Sequence, residues 1–316
     1  MKKVTFSEFD AFAETVTDVD CVMTLRNPRH RTWVIHQVEL PRTHIQLGRL
    51  GSGNLVEGQS WSHGYLFYLP LTDKCTYTAN GEVIPPHSFM ILEPNCEFSI
   101  CTADQHDWCS IFVPEDLISN YIDTDSFSDS GPGQCRVSEA DPDSALRLST
   151  SVSQLIRNAI ENPNLETSPA APVAERELVK IASTVLRNPR ADSHNNGGRP
   201  QIPRQLIIDR CKKYLAESCA SAASVSDLAA ASGVSERTLR SAFNDYYGMS
   251  PTQYFQLRQL NRVHQDLRAS SPEEHKVADI LLRHGIWEHG RFASRYQQLF
   301  GEKPSTTLRS TLRWRE

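Results

Sequence analysis

A short helical stretch, a glycine-centred turn and a longer helical stretch occur twice, in that order, between Ser224 and Thr306. A unit repeated in this way commits that part of the chain to an all-α arrangement. In the first copy Val225–Ala231 reads as the short helix, Ser232-Gly233-Val234 as the turn, and Ser235–Tyr246 as the second helix, ended by Gly248. In the second, Lys276–Leu282 is the short helix, His284-Gly285-Ile286 the turn, and Glu288–Phe300 the second helix, ended by Gly301. Each glycine stands where the chain turns sharply between helices, a position that favours positive φ. Both copies close alike, with Gly248-Met249-Ser250-Pro251 and Gly301-Glu302-Lys303-Pro304-Ser305, a helix stop followed by a restart. Gly233 and Gly285 are 52 residues apart, room for three helices per period.

These residues resemble the DNA-binding half of AraC/XylS-type transcriptional regulators. The resemblance is carried by Leu228-Ala229-Ala230-Ala231-Ser232-Gly233-Val234-Ser235-Glu236-Arg237-Thr238-Leu239, Phe243 and Gly248-Met249-Ser250-Pro251. It continues through Tyr254–Leu267 into Ala278-Asp279-Ile280, Gly285, Gly290-Arg291-Phe292, Phe300-Gly301 and Pro304-Ser305, and covers about Pro203 to Leu312. It implies two helix-turn-helix motifs binding double-stranded promoter or operator DNA, RNA polymerase as a partner, and a role as activator or repressor. For the rest of the chain it implies a cupin-like sensory half and a homodimer.

Charge is distributed as such a function requires. From Pro200 onward there are seventeen Lys and Arg against twelve Asp and Glu, a balance of +5, so the chain's net −5 places −10 upstream. Positive charge gathered in the repeated part suits attraction to phosphates. No apolar run approaches the roughly 18 to 20 residues of a membrane span, so no membrane partner is expected. The start, Met1-Lys2-Lys3-Val4-Thr5-Phe6-Ser7-Glu8, lacks the apolar core of a secretion signal, and a soluble, cytoplasmic protein is expected. Eight cysteines with no Cys-x-x-Cys pair read as free thiols in a reducing compartment.

The expected fold is α+β in two domains. Residues 1–190 form a β-rich, cupin-like (jelly-roll) regulatory domain with a helical hairpin, 191–201 a linker, and 202–316 an all-α DNA-binding domain with the two helix-turn-helix motifs. The linker lies in the turn-forming run Asn188 to Pro200, which is nearly without apolar residues. Asp143–Ile160 and Val173–Leu186 show helical apolar spacing, interrupted by Pro163, Pro169 and Pro172. The hairpin they form either packs on its own domain or, as the resemblance implies, serves dimerisation. Strands are expected at Thr32–Glu39, Thr43–Leu50, Gly53–Glu57, Gly64–Leu69, Thr76–Ala79, Ser88–Leu92, Glu97–Ile100 and Asp107–Phe112, separated by turn formers.

The same β-rich half offers little for catalysis. His36, His44, His63, His87 and His106 are dispersed without a His-x-His pair, whereas a divalent cation needs converging ligands. A nucleophile elbow and a phosphate-cradling glycine loop are lacking, since Gly51-Ser52-Gly53 is not followed by a helix and Lys. No catalytic residue, metal or cofactor is therefore expected, and the alternative is a cupin-type metalloenzyme carrying a DNA-binding tail, with His63 and either His44 or His87 as ligands. Trp33, Trp61, His63, Tyr65, Phe67 and Trp108 lie on or beside strands and are candidates for a small-molecule effector site, or else ordinary core.

In the second helix of the first copy, Leu239, Ala242, Phe243 and Tyr246 follow a 3–4 spacing toward a core. Arg237, Arg240 and Ser241 then face outward, and arginine paired with guanine O6 and N7 is the commonest bidentate base contact. In the second copy, Ile286, Phe292, Tyr296 and Leu299 or Phe300 are the inward set, leaving His289, Gly290, Arg291, Ser294 and Arg295 exposed. The expected DNA-binding residues are Arg237, Arg240, Ser241, His289, Arg291, Ser294 and Arg295; Gly290 has no side chain to read a base. Thr252–Ala269 is expected to join the copies as a rod of about 27 Å, with Arg258, Arg262 and Arg268 on phosphates or in solvent.

Overall fold

The structure is a computed structural model that describes residues 2–72, 74–85, 88–122, 135–140, 142–162, 164–187, 189–190, 203–217 and 224–310. The chain divides into two compact units, one of Met1–Met23 with Arg29–Gly198, the other of Thr24–Pro28 with Arg199–Glu316. Of the linker run, only Pro189–Arg190 falls among the described residues, and it forms a short strand.

The first unit is built on two sheets. The larger takes the order β1 (Lys2–Phe6), β3 (Trp33–Glu39), β4 (His44–Leu50), β11 (His106–Pro114), β6 (Gly64–Pro70), β9 (Phe89–Leu92), β12 (Cys135–Ala140) and β13 (Pro189–Arg190). The smaller runs β2 (Val19–Arg26), β5 (Gly53–Ser60), β10 (Glu97–Thr102), β7 (Tyr77–Ala79) and β8 (Glu82–Val83). β11 is antiparallel to both its neighbours, setting Ile111 opposite Ile45 and Phe67. The eight strands expected between residues 32 and 112 are present with ends shifted by a few residues, and β1, β2, β8, β12 and β13 are additional.

Alternation along these strands divides their side chains between two faces. Two short helices, α1 (Phe9–Ala13) and α2 (Glu115–Ser119), precede two longer ones, α3 (Pro142–Glu161) and α4 (Ala171–Arg187), and Val38, Ile45, Tyr65, Phe67, Leu69, Cys109, Ile111 and Val113 share one core with α3 and α4. Leu148, Val152, Leu155, Ile156 and Ala159 come from α3, and Leu178, Val179, Ala182, Val185 and Leu186 from α4. The hairpin thus packs on its own sheet. The opposite face meets the smaller sheet through Tyr68, whose ring lies 6.4 Å from Tyr77, and Tyr77 in turn meets His106 edge-on at 5.5 Å. Gly48 leaves the space that the Trp108 indole fills, since a Cβ there would come within 2.4 Å of it.

The second unit is helical: α5 (Arg204–Glu217), α6 (Val225–Ser232), α7 (Glu236–Tyr247), α8 (Pro251–Ala269), α9 (Val277–Arg283), α10 (His289–Phe300) and α11 (Pro304–Ser310). α5 packs on α6 and α7, and α11 packs on α8, α9 and α10. Gly233, Gly248, Gly285 and Gly301 have φ of 71°, 61°, 69° and 78°, the left-handed turns anticipated from their spacing. Among the described residues no helix is long and apolar enough to cross a membrane.

His106 links this packing to pH. Burial pushes its imidazole down to about 4, although the carbonyls of Asp104 and Ser52 accept from its Nδ1 side at 3.0 and 3.1 Å and partly oppose that. A group depressed on folding contributes stability above its unfolded pKa, near 6.5, and loses it as pH falls toward 4. Wild type is therefore expected to lose about 3 kcal/mol more than His106→Gln across that window, read by thermal denaturation at stepped pH. A constant difference between the two proteins would show that burial does not hold His106 neutral.

Candidate nucleic-acid interface

The helix pairs of the second unit are fixed at their ends before they present a surface. Ser224 caps α6 through a capping box: its hydroxyl accepts from the Asp227 amide at 3.1 Å, and the Asp227 carboxylate accepts from the Ser224 amide at 2.9 Å. The Ser224 hydroxyl, donating to the Asp227 carboxylate at 2.7 Å, and then the Ser224 amide hold the Asp227 carboxyl below its usual range. Ser235 is the N-cap of α7, accepting from the Thr238 amide at 3.1 Å, so the helix proper begins at Glu236. Ser250 and Gln253 form a second capping box on α8, with Pro251 in its first turn. Neither Lys276 before α9 nor Glu288 before α10 makes a side-chain cap.

On α7 the residues Leu239, Ala242, Phe243, Tyr246 and Tyr247 are buried. Tyr247 stacks on Tyr254 of α8 at 4.5 Å, and Phe243 meets Tyr254 edge-on at 5.4 Å. Arg237, Arg240, Ser241 and Asn244 are left exposed. Arg240 reaches back to Glu236 at 3.3 Å, while Ser241 donates to Asp245 at 3.2 Å. Such exposed pairs contribute little to stability and are readily exchanged for another anion.

On α10 the buried residues are Phe292, Tyr296 and Leu299, and Phe300 is partly covered. His289, Gly290, Arg291 and Ser294 are exposed, and Arg295 is half-buried. Arg291 lies 3.3 Å from Glu288, and the Ser294 hydroxyl donates to the Gly290 carbonyl at 3.1 Å. The helix is seated by polar contacts: the Tyr296 hydroxyl lies 2.5 Å from His264 Nδ1 and 2.8 Å from Thr307 Oγ1, and Thr307 donates to Glu302 at 2.6 Å. His264 also stacks flat on Phe300 at 4.0 Å. At the end of α9, His284 Nε2 lies 2.7 Å from Asp266, and Gln259 of α8 donates to the His284 carbonyl.

The three arginines of α8 differ. Arg258 donates to the Tyr254 hydroxyl at 2.8 Å and lies over that ring, whereas Arg262 is exposed on the next turn. Partial burial and the adjacent Arg258 charge lower the Arg262 pKa. Arg268 is half-buried in the last turn.

In the first unit the structure distributes the six effector candidates over separate places. Tyr65 and Phe67 lie in the core beneath the hairpin. Trp33 is buried against Phe9 at 5.6 Å and donates to the Ser52 hydroxyl, and Trp108 stacks on Tyr68 at 6.0 Å. Trp61 and His63 meet each other, stacked at 5.2 Å, and both touch Phe112. Sequence reading had set His44 beside His63 as a candidate ligand but missed Phe112 and Asp18: His44 stacks on the same Phe112 at 5.8 Å, and its Nδ1 lies 2.7 Å from Asp18. The Asp18 carboxylate, fully buried, raises the His44 pKa mainly through this hydrogen bond. Among the described residues no three His, Cys, Asp or Glu side chains gather as a metal site would require, and His87 lies outside those residues.

A family model described as a helix-turn-helix domain matches residues 228–310, a span that takes in both helix pairs. XylDLEGF operon transcriptional activator 2 of Pseudomonas putida is 30% identical over 136 residues, which cover 43% of this chain and 85% of that protein. The XylDLEGF operon transcriptional activator of the same organism is 29% identical over 149 residues, 46% of this chain and 42% of that protein. The probable thc operon regulatory protein of Rhodococcus erythropolis is 30% identical over 112 residues, 35% of this chain and 33% of that one. The chain thus spans less than half the length of these last two relatives.

The seating of α10 makes a direct prediction. Tyr296→Phe keeps the ring and removes the hydroxyl shared by His264 and Thr307. Stranding buried polar partners is expected to cost about 1–3 kcal/mol, seen as a lower denaturant midpoint at unchanged slope. An unaltered midpoint would mean that the three groups do not act as a network.

Proposed function

Because this chain belongs to the AraC/XylS family of transcriptional regulators, we propose that it binds specific double-stranded DNA and controls transcription from it. One observation carries this reading: two helices, α7 and α10, each seated by a buried aromatic stripe, turn polar and basic residues outward at either end of α8. We read α6–α7 and α9–α10 as two helix-turn-helix motifs, each placing its second helix in a major groove. Nineteen residues of α8 give a rod of about 28 Å, of the order of the roughly 34 Å between successive grooves on one duplex face. Arg237, Arg240, Ser241, His289, Arg291, Ser294 and Arg295 supply the contacts to bases and phosphates, with Arg262 on the backbone.

The remaining assignments follow from the same reading. Residues 1–190 are a cupin-like regulatory and dimerisation domain, 191–201 a linker and 202–316 the DNA-binding domain. The protein acts as a homodimer that recruits RNA polymerase as an activator, in keeping with the names of its relatives. Its effector is a small organic molecule met by Trp61 and His63, with Phe112 and His44 beside them. No observation favours the metalloenzyme alternative.

Selecting fragments of genomic DNA with the purified full-length chain at two salt concentrations tests the proposal. A few loci sharing a two-groove motif support it; unrelated DNA lost at higher salt would reduce it to phosphate attraction. On a selected site, Arg240→Ala and Arg291→Ala are each expected to weaken specific binding by about 1–3 kcal/mol without lowering thermal stability. Unchanged affinity in both would overturn the assignment of these faces.

A further inference from the structure

The two helix pairs are alike in packing but not in what they turn outward. Counted from the first helical residue, Leu239 and Phe292 are both fourth and Phe243 and Tyr296 both eighth, and all four are buried. The positions of Arg237 and Arg240 are therefore taken in α10 by Gly290 and Ala293. The glycine is not there to admit a neighbouring part of the protein, because a Cβ at Gly290 would meet nothing within 4 Å. A surface that carries two arginines in the first copy is thus bare in the second.

What the second copy loses on the helix it gains in the turn. Two residues, Gly233 and Val234, precede the N-cap Ser235; three residues, Gly285, Ile286 and Trp287, precede the N-cap Glu288. Ile286 is buried, and its amide donates to the Leu281 carbonyl at 2.9 Å. The extra residue is Trp287, 79% exposed, whose carbonyl accepts from the His289 amide at 3.1 Å. Its backbone is held and its indole is in water. His289 and Arg291, exposed within the next four residues, flank it with groups suited to phosphate or base edges.

We propose that Trp287 reads the second groove by apolar contact with the duplex, in place of the arginines that α7 uses in the first. The inference rests on the DNA-binding reading above. A tryptophan in this position meets the non-ionic parts of DNA, either the thymine 5-methyl groups or the deoxyribose edges. Recognition by the two helix pairs then differs in kind. The first is hydrogen-bonded and charged; the second combines one apolar contact with Arg291.

The test uses the full-length chain and a duplex recovered by the selection. Trp287→Ala is expected to lower affinity at least tenfold, to leave the slope of log affinity against log salt unchanged, and to lose protection over one half-site only. Trp287→Phe should retain most of the affinity. Arg291→Ala, by contrast, should reduce the salt slope by about one. Replacing thymine by uracil in that half-site separates the two sources. A loss in wild type that is absent in Trp287→Ala assigns the methyl groups, and no loss assigns the sugar edges. If wild type binds its site and Trp287→Ala binds it equally, with the same protection, this inference is overturned while the DNA-binding reading stands. If wild type selects no site, that reading itself falls.

Discussion

The outward face of α7 is set by its inward one. Phe243, Tyr246 and Tyr247 on that helix and Tyr254 and Phe255 on α8 form one aromatic cluster, with Tyr246 and Tyr247 4.7 Å apart at 73° and Tyr247 stacked on Tyr254 at 25°. Each aromatic pair adds about 0.5–1.5 kcal/mol beyond the area it buries, and edge-to-face and stacked geometries tolerate little rotation. Turning α7 about its axis by one residue, roughly 100°, would drive Arg240 toward this cluster. The positions of Arg237 and Arg240 are therefore a consequence of apolar packing, and the ion pair of Arg240 with Glu236 is too exposed to fix them.

α10 is held by different physics. His264, Tyr296, Thr307 and Glu302 hydrogen-bond in that order across α8, α10, α11 and the turn before it, and His264 stacks on Phe300. Hydrogen bonds have narrow angular limits, and a buried polar group left without its partner costs more than the bond contributes. The network therefore specifies one seating of α10, where an apolar stripe of three residues would permit several. Capping follows the same division. Ser224, Ser235 and Ser250 cap the first copy and α8, whereas the second copy makes no side-chain cap before α9 or α10.

How much of this was legible in the sequence depends on the range of the interaction concerned. The helices of both copies, their positive-φ glycines and their buried stripes are local properties, set by 3–4 spacing and by what glycine alone adopts without strain, and they lie within a residue or two of where the pattern places them. Apart from the two-residue β8, the strands between residues 32 and 112 were legible through alternation and turn formers. β1 and β2 were not, because Lys2–Phe6 has no buried residue and Val19–Arg26 has a run of three buried ones without clean alternation, so that pairing is what makes them strands. The neighbours of Trp61 and His63 were hidden for a related reason. Phe112 and Asp18 are far from them in sequence and join them, together with His44, only through strand pairing and a turn at Asp18 with φ of 70°. The polar seating of α10 gave no periodic signal at all, since His264, Tyr296 and Thr307 occupy three different helices.

The two apolar faces of β6 explain why most aromatic residues of the first unit could not have formed one site. Tyr65, Phe67 and Leu69 are committed to the core beneath α3 and α4, while Leu66 and Tyr68 point to the other side, where Tyr77 and Trp108 meet Tyr68. A strand buried on both faces has no side chain to spare for a ligand. Trp61 and His63 escape that demand because they precede the strand: Trp61 is half-buried and His63 exposed. The residue that joins them to the sheet, Phe112, is itself buried and carries His44 on its ring, so the cluster is anchored from below and open above. Asp18, fully buried, in turn holds His44 by a hydrogen bond that raises its pKa, and so fixes the ring that lies on Phe112.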